Sequence, residues 1–252
     1  MSVKLRCIVI FFFINGMFSL SSEAYSTENQ NNSDKREKVI PAFTAKYALL
    51  HKSDQVGDGI RTLSYDDKGL AQYSYNTKIK WLIFSDERQE KTTVRIDKNR
   101  IIPISYDYQR TGTGKDKSYK WQYDTVNNTA TNIISKNTIA VDFSQNIQTP
   151  LSYHLQQRLD LINTPKQELF NFSILKSKGS IKDYTYQYDG EEELLLPYGA
   201  VKAIRLKRES SNKTRITYAW FAPELDYLLV KLYQTKSGAE QYEALLTELT
   251  IQ

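Results

Sequence analysis

Residues 101–123, IIPISYDYQRTGTGKDKSYKWQY, decide the fold class. Two runs, Ile101–Gln109 and Tyr119–Tyr123, alternate aromatic or β-branched residues with polar ones, and Gly112-Thr113-Gly114 marks a turn between them. A period of two sends successive side chains to opposite faces of a strand, so Tyr119, Trp121 and Tyr123 share one face. Two such runs across a glycine turn predict an antiparallel hairpin.

The texture repeats in both directions. Turn signals stand at Gly57-Asp58-Gly59, Asp66 to Gly69, Lys98-Asn99, Asn127-Asn128, Asp189-Gly190, Ser210 to Lys213 and Lys236 to Gly238. Between them lie runs that read as strands, from Phe43–Leu50 to Tyr242–Thr250, with Lys80–Phe84 among them. Hairpin-length connections argue for antiparallel pairing. Thr149-Pro150 can start a helix, and Leu151, Leu155 and Leu159 then fall on one side. The reading is therefore all-β: a single domain over 40–252, with one short amphipathic helix near 150–160 packed on its antiparallel sheet.

Ahead of this domain, Met1–Ala24 carries Lys4 and Arg6 and then the apolar run Cys7–Leu20, the order of a secretory signal. The run falls short of the roughly 20 residues of a membrane-spanning helix. Ser22-Glu23-Ala24 presents small residues where a signal peptidase reads, so cleavage after Ala24 is expected, leaving no transmembrane segment in the mature form. Residues 25–39 are almost entirely polar and read as a flexible linker. Cys7 would leave with the signal, and a mature chain without cysteine has neither disulfides nor a thiolate nucleophile or zinc ligand. The expected address is the periplasm.

The net charge of +5 is spread among interleaved acids and bases, a solvated surface with no nucleic-acid footprint. His51 and His154 are the two histidines; neither has metal-ligand spacing, and His154 falls beside the leucine face of the helix. No metal, cofactor or catalytic residue is expected. Glu191-Glu192-Glu193 reads as a solvated loop edge and Asp86-Glu87 as a carboxylate pair bordering an aromatic strand. The 18 Tyr, 10 Phe and 3 Trp are the unusual feature. Rings on one face of a concave sheet suit a lipid chain, a sugar or a peptide; the same rings also fill ordinary β cores.

The sequence resembles the exported family known as domain of unknown function 3108. The resemblance is carried by the Tyr47–Gly59 segment, Trp81–Asp86, Ile102-Pro-Ile-Ser-Tyr-Asp-Tyr108, Asp142-Phe143 leading to Thr149-Pro150, and Thr217-Tyr-Ala-Trp-Phe-Ala-Pro-Glu-Leu-Asp-Tyr227. It implies a curved antiparallel sheet or partly open β-barrel and supplies no catalytic residues. The functional expectation is a non-enzymatic envelope protein that binds an apolar or amphipathic ligand, such as a lipid or glycolipid, with Tyr119, Trp121 and Tyr123 as contacts. Behind it stand an assembly factor offering a sheet edge to another envelope protein and, last, a glycan hydrolase using two carboxylates.

Overall fold

A computed structural model describes residues 40–252; the segments expected as a signal, Met1–Ala24, and a linker, 25–39, lie outside the described residues. Eight strands follow one another as hairpins: β1 (Phe43–His51), β2 (Asp54–Tyr65), β3 (Ala71–Trp81), β4 (Phe84–Asp97), β5 (Arg100–Gly112), β6 (Lys117–Asp124), β7 (Thr129–Asn132) and β8 (Asn137–Ala140). The short β9 (Ile147–Gln148) and the helix α1 (Tyr153–Asn163) come next. A second run of hairpins then comprises β10 (Leu169–Leu175), β11 (Ile181–Leu196), β12 (Gly199–Glu209), β13 (Arg215–Ala222), β14 (Leu228–Lys236) and β15 (Ala239–Ile251).

The two runs form the wings of one sheet, joined where β1 pairs antiparallel with β15, in the order β8 through β1, then β15 down to β9. Among the described residues, only β9 and β10 pair in parallel. Among the described residues, the all-β class, the antiparallel pairing and the single α-helix are as the sequence indicates.

Hydrogen-bonded strands do not close this sheet; side chains do. β6 pairs with β5 only from Ser105 to Arg110, which leaves the edge of β5 near Ile101 without a strand. Gln148 of β9 donates from Nε2 to the Ile101 carbonyl (2.7 Å), and the Ile101 N–H donates to Oε1 of Gln156 on α1 (2.7 Å). Two glutamines thus serve as the missing strand partner, which explains why Gln148 and Gln156 are fully buried. Further down, Trp121 Nε1 on β6 donates to the Ser177 carbonyl in the β10–β11 turn (2.9 Å). The wings therefore meet around α1.

That enclosure changes the helix. Besides Leu155 and Leu159, it buries Tyr153, Gln156, Gln157, Arg158 and Leu161. It is wrapped by the sheet rather than laid on it. Thr149 Oγ1 accepts from the N–H groups of Leu151 and Ser152, a turn just ahead of the helix. At the far end Arg158 donates to the Asp226 and Leu225 carbonyls.

Asp160, in the same region, is pushed up to about 6 from an ordinary 3.8, chiefly by burial, while a bond from Gln156 Nε2 (2.7 Å) pulls the other way. Since the folded state then holds this proton more tightly than the unfolded chain, stability is greatest below about pH 4 and falls as pH rises through about 6. Asp160→Asn keeps an acceptor for Gln156 without the charge. It is expected to raise the thermal midpoint at pH 8 and to lose that advantage at pH 3.5; an equal gain at both values would contradict this account.

Three segments differ from the sequence reading. Lys80–Phe84, expected as one strand, is split at the tip of the β3–β4 hairpin: Lys80 and Trp81 end β3, Leu82, at φ +54°, and Ile83 form the turn, and Phe84 begins β4. Its apolar composition imitated a buried strand, yet it has no sheet neighbour to bury against. Gly57-Asp58-Gly59, expected as a turn, runs through β2. There the Lys78 backbone of β3 passes where a Gly57 side chain would stand, so the glycine serves close strand approach instead. Asp189-Gly190 is a bulge inside β11, with Gly190 at φ +107° and a register shift between Tyr188 and Glu191. Glu191–Glu193 consequently lies in β11, not in a loop, and Glu192 accepts from Arg205 Nη1 (3.0 Å) and Trp220 Nε1 (2.5 Å).

Candidate binding cavity

Since the strands alternate direction, the turns at 52–53, 82–83, 113–116, 176–180, 210–214 and 237–238 all fall at one end of the sheet, here called the lower end. The helix fills the upper half of the concave space. Below it lies a cavity of about 550 Å³, within the size range of small-molecule sites. Leu151, just ahead of α1, and Tyr153 and His154 of its first turn form the roof. Its sides carry Tyr47 and Leu49 of β1, Tyr75 and Ile79 of β3, Leu229 and Leu232 of β14, and Tyr242 and Ala244 of β15. Arg215 and Gln241 line it near the lower turns and are exposed, so the cavity reaches solvent at that end.

Its charge is one-sided. Arg61, Arg88, Lys176, Arg208 and Arg215 line it, against the single carboxylate Glu90. Arg61 sits on β2 in phase with the core residue Leu63 and is only 5 % exposed. Its guanidinium lies 4.2 Å from the Tyr75 ring centroid and 5.9 Å from that of Tyr47, and donates to Tyr73 Oη (2.7 Å). Arg208 reaches in from the other wing. It stacks 3.9 Å from the Tyr184 centroid and donates to Thr217 Oγ1 (3.1 Å), while its buried Nε has no partner among the described residues. Neither arginine is ion-paired to a carboxylate among those residues, and a buried charge without a counter-ion is costly.

His154 lines the same cavity as these two cations. Burial first, then the fields of Arg61 and Arg208, hold its pKa well below the usual histidine value, so it is neutral at pH 7. Its Nδ1 is buried and unpartnered among the described residues. Glu90 is raised above the ordinary carboxylate range, by burial chiefly, although a bond from Tyr106 (2.8 Å) and the charges of Arg61, Arg88 and Lys176 favour ionisation. One arginine from each wing, a neutral imidazole from the helix and several tyrosine rings thus surround one space. Two or more uncompensated guanidinium groups suit a carboxylate or phosphate.

The rings singled out from sequence lie elsewhere. Trp121 is 2 % exposed, bound to the Ser177 carbonyl and packed beside Gly179. Tyr123 is 7 % exposed and meets Phe143 edge-on at 6.2 Å. Tyr119 is half-buried against Tyr108 at 5.9 Å and borders a groove of about 560 Å³ whose lining, Ser74, Asn76 and Gln89 among it, is mostly polar. None of the three lines the cavity below the helix. Asp86 bridges Arg88 and Arg110 at 2.6 Å each. Although its partial burial raises the pKa, the two arginine bonds outweigh that and lower it, a poor setting for a general acid. His154, read as a boundary residue of the helix, is a cavity residue. Arg61, Arg208 and Glu90 escaped notice. Their signal was present: each is charged at a strand position in phase with apolar neighbours, Arg61 with Leu63, Glu90 with Val94 and Arg208 with Leu206.

One solved structure agrees with this fold at a TM-score above 0.5. A β-barrel-like protein of domain of unknown function 1849 from Brucella abortus superposes with a TM-score of 0.55 at 9 % identity, covering 84 % of this chain and 98 % of that one. A candidate lipoprotein from Parabacteroides distasonis gives a TM-score of 0.34 at 11 % identity, over 83 % of this chain and 95 % of its own. A candidate exported protein from Bacteroides fragilis gives 0.32 at 9 %, over 82 % and 95 %. No curated protein matches the sequence. The model of the family described as protein of unknown function, DUF3108, matches residues 60–244, from β2 to β15. The chain belongs to the DUF3108 family.

Proposed function

We propose that this chain is an exported, non-catalytic envelope protein that holds an amphipathic ligand in the cavity below α1, with the anionic group of the ligand between Arg61 and Arg208. The observation that carries this reading is the deeply buried Arg61 in a cavity with a surplus of cations and a single carboxylate. An anion would supply the missing counter-charge, and Leu49, Ile79, Leu229 and Leu232 would receive an apolar chain. The other two readings have less support. A glycosidase needs two carboxylates across a cleft, whereas this cavity has Glu90 alone. A β-edge partner needs a long free strand, whereas the sheet ends in β8 and β9, four and two residues long.

The test is calorimetric titration of the purified protein with three probes that share a twelve-carbon chain: dodecyl phosphate, dodecyl maltoside and dodecyltrimethylammonium. Stoichiometric binding of the phosphate, at least tenfold tighter than the maltoside and with the cation inert, is expected. Equal affinity for all three heads, or binding of none, would refute it.

A further inference from the structure

We infer that the β3–β4 hairpin tip, Trp81-Leu82-Ile83-Phe84, is a membrane-docking wedge that seats the lower end of the protein on an anionic lipid surface. The inference rests on the tip and its surroundings, independently of what the cavity binds.

The tip stands clear of the sheet. β2 pairs with β3 only as far as Ile79, and β5 pairs with β4 only as far as Asp86. Ser85 is the last residue tied to the neighbouring β5–β6 turn, through Thr113; beyond it the hairpin pairs only with itself, Trp81 with Phe84. Leu82 and Ile83 are 86 % and 87 % exposed, Phe84 53 % and Trp81 46 %. Single exposed apolar residues are ordinary, but four in succession at a projecting turn mark an interaction site. Their order also fits a bilayer interface. The aliphatic pair is outermost, the aromatic pair sits one step back, where rings favour the headgroup level, and Lys80 and Lys78 follow. Trp81 is steadied by an edge contact with His51 at 5.2 Å.

Charge complements this arrangement. The lower turns at 52–53, 113–116, 176–180 and 210–214 carry five lysines against one aspartate. The opposite turns at 66–70, 98–99 and 223–227 carry four acids against two lysines. The molecule is therefore polarised, with its basic end around the apolar tip, as attraction to anionic lipid requires. A protein partner is the weaker choice. A standard interface buries about 800 Å² on each side, more than one hairpin turn offers, whereas shallow insertion into lipid needs no such area. Ile79, two residues from Trp81, lines the cavity, so docking would bring the solvent-open end of the cavity to the lipid.

Flotation of the full protein with vesicles of phosphatidylethanolamine containing a quarter phosphatidylglycerol tests this, with pure phosphatidylcholine vesicles as the comparison. Binding to the anionic vesicles, weakened by added salt and reduced at least tenfold in L82S/I83S/F84S with an unchanged unfolding midpoint, is expected. Trp121 and Trp220 are 2 % and 5 % exposed, so quenching of tryptophan emission by brominated lipid would report Trp81. Absence of vesicle binding, binding that survives the triple substitution, or bound protein without quenching would overturn the inference. A self-association in solution that the triple substitution abolishes, with no vesicle binding, would assign the tip to a second copy of the chain instead.

Discussion

Trp121→Ala is expected to lower the thermal midpoint by roughly 10 °C. Truncating a fully buried tryptophan costs about 3–5 kcal/mol, and each kcal/mol moves the midpoint of a domain of this size by about 2–4 °C. Trp121 is where β6 of one wing touches the β10–β11 turn of the other, through both its ring and its bond to the Ser177 carbonyl. Gly179, at φ +91°, comes so close that a Cβ there would lie 3.2 Å from the indole; the turn is shaped around the ring. Trp121→Phe separates the two contributions, keeping most of the apolar contact while orphaning the Ser177 carbonyl, and should cost about 1–3 kcal/mol. Thermal unfolding followed by circular dichroism measures both. A shift below about 3 °C for the alanine variant would show that the wings are held together elsewhere.

Arg61→Met should move stability and affinity in opposite directions. In the unliganded protein the guanidinium is buried between tyrosine rings with a hydroxyl as its hydrogen-bonding partner. Replacing buried charge by an apolar side chain of similar length is commonly neutral or stabilising, by about 1–4 kcal/mol. The anionic probe, however, would lose a charge-assisted contact of about 1.5–3 kcal/mol, which is roughly 10- to 100-fold in dissociation constant. Dodecyl phosphate titrated against a variant that is at least as stable as the parent should therefore bind at least tenfold more weakly. If instead the variant unfolds earlier and binds the probe unchanged, Arg61 is a structural residue and the anion site is elsewhere. His154 offers a related readout, since an anion beside it would raise its low pKa, visible as a shift in its imidazole NMR titration on adding the probe.

Much of the fold is legible because its strands are read locally. Period-two alternation and glycine or aspartate turns announce most of the hairpins, and the leucines at 151, 155 and 159 announce the helix. What is hidden is three-dimensional. The curl of the sheet depends on β-bulges and on glutamines that bond a β5 edge more than 40 residues away in sequence, and no local pattern marks Gln148 or Gln156 as strand substitutes. The same limit governs the site. The aromatic rows attract attention by composition, but rings are also the best fillers of a β core, and Trp121 and Tyr123 are used that way. The cavity is written in rarer signs, a few charged residues at inward strand positions, and only the two wings folding toward each other puts Arg61 and Arg208 on one cavity. Lys80–Phe84 failed for a simpler reason: exposed and buried apolar runs have the same letters.

The joining of β1 to β15, with Phe43 opposite Ile251, has a consequence for how the protein must be made. Apart from the parallel β9–β10 pair, which spans α1, every other neighbouring pair in the sheet is a local hairpin, so each wing can form largely by itself, while the central seam must wait for the last strand. Long-range pairing of this kind is slow, because the chain entropy lost in bringing distant segments together precedes any reward. Until β15 is in place, β1 and β14 are both open, and these are long edges with apolar faces, unlike the blunt β8 and β9. A chain shortened by its final thirteen residues would keep nearly all of its core sequence yet present two sticky templates for aggregation, so completion of the chain, more than any single core contact, sets whether the molecule survives its own folding.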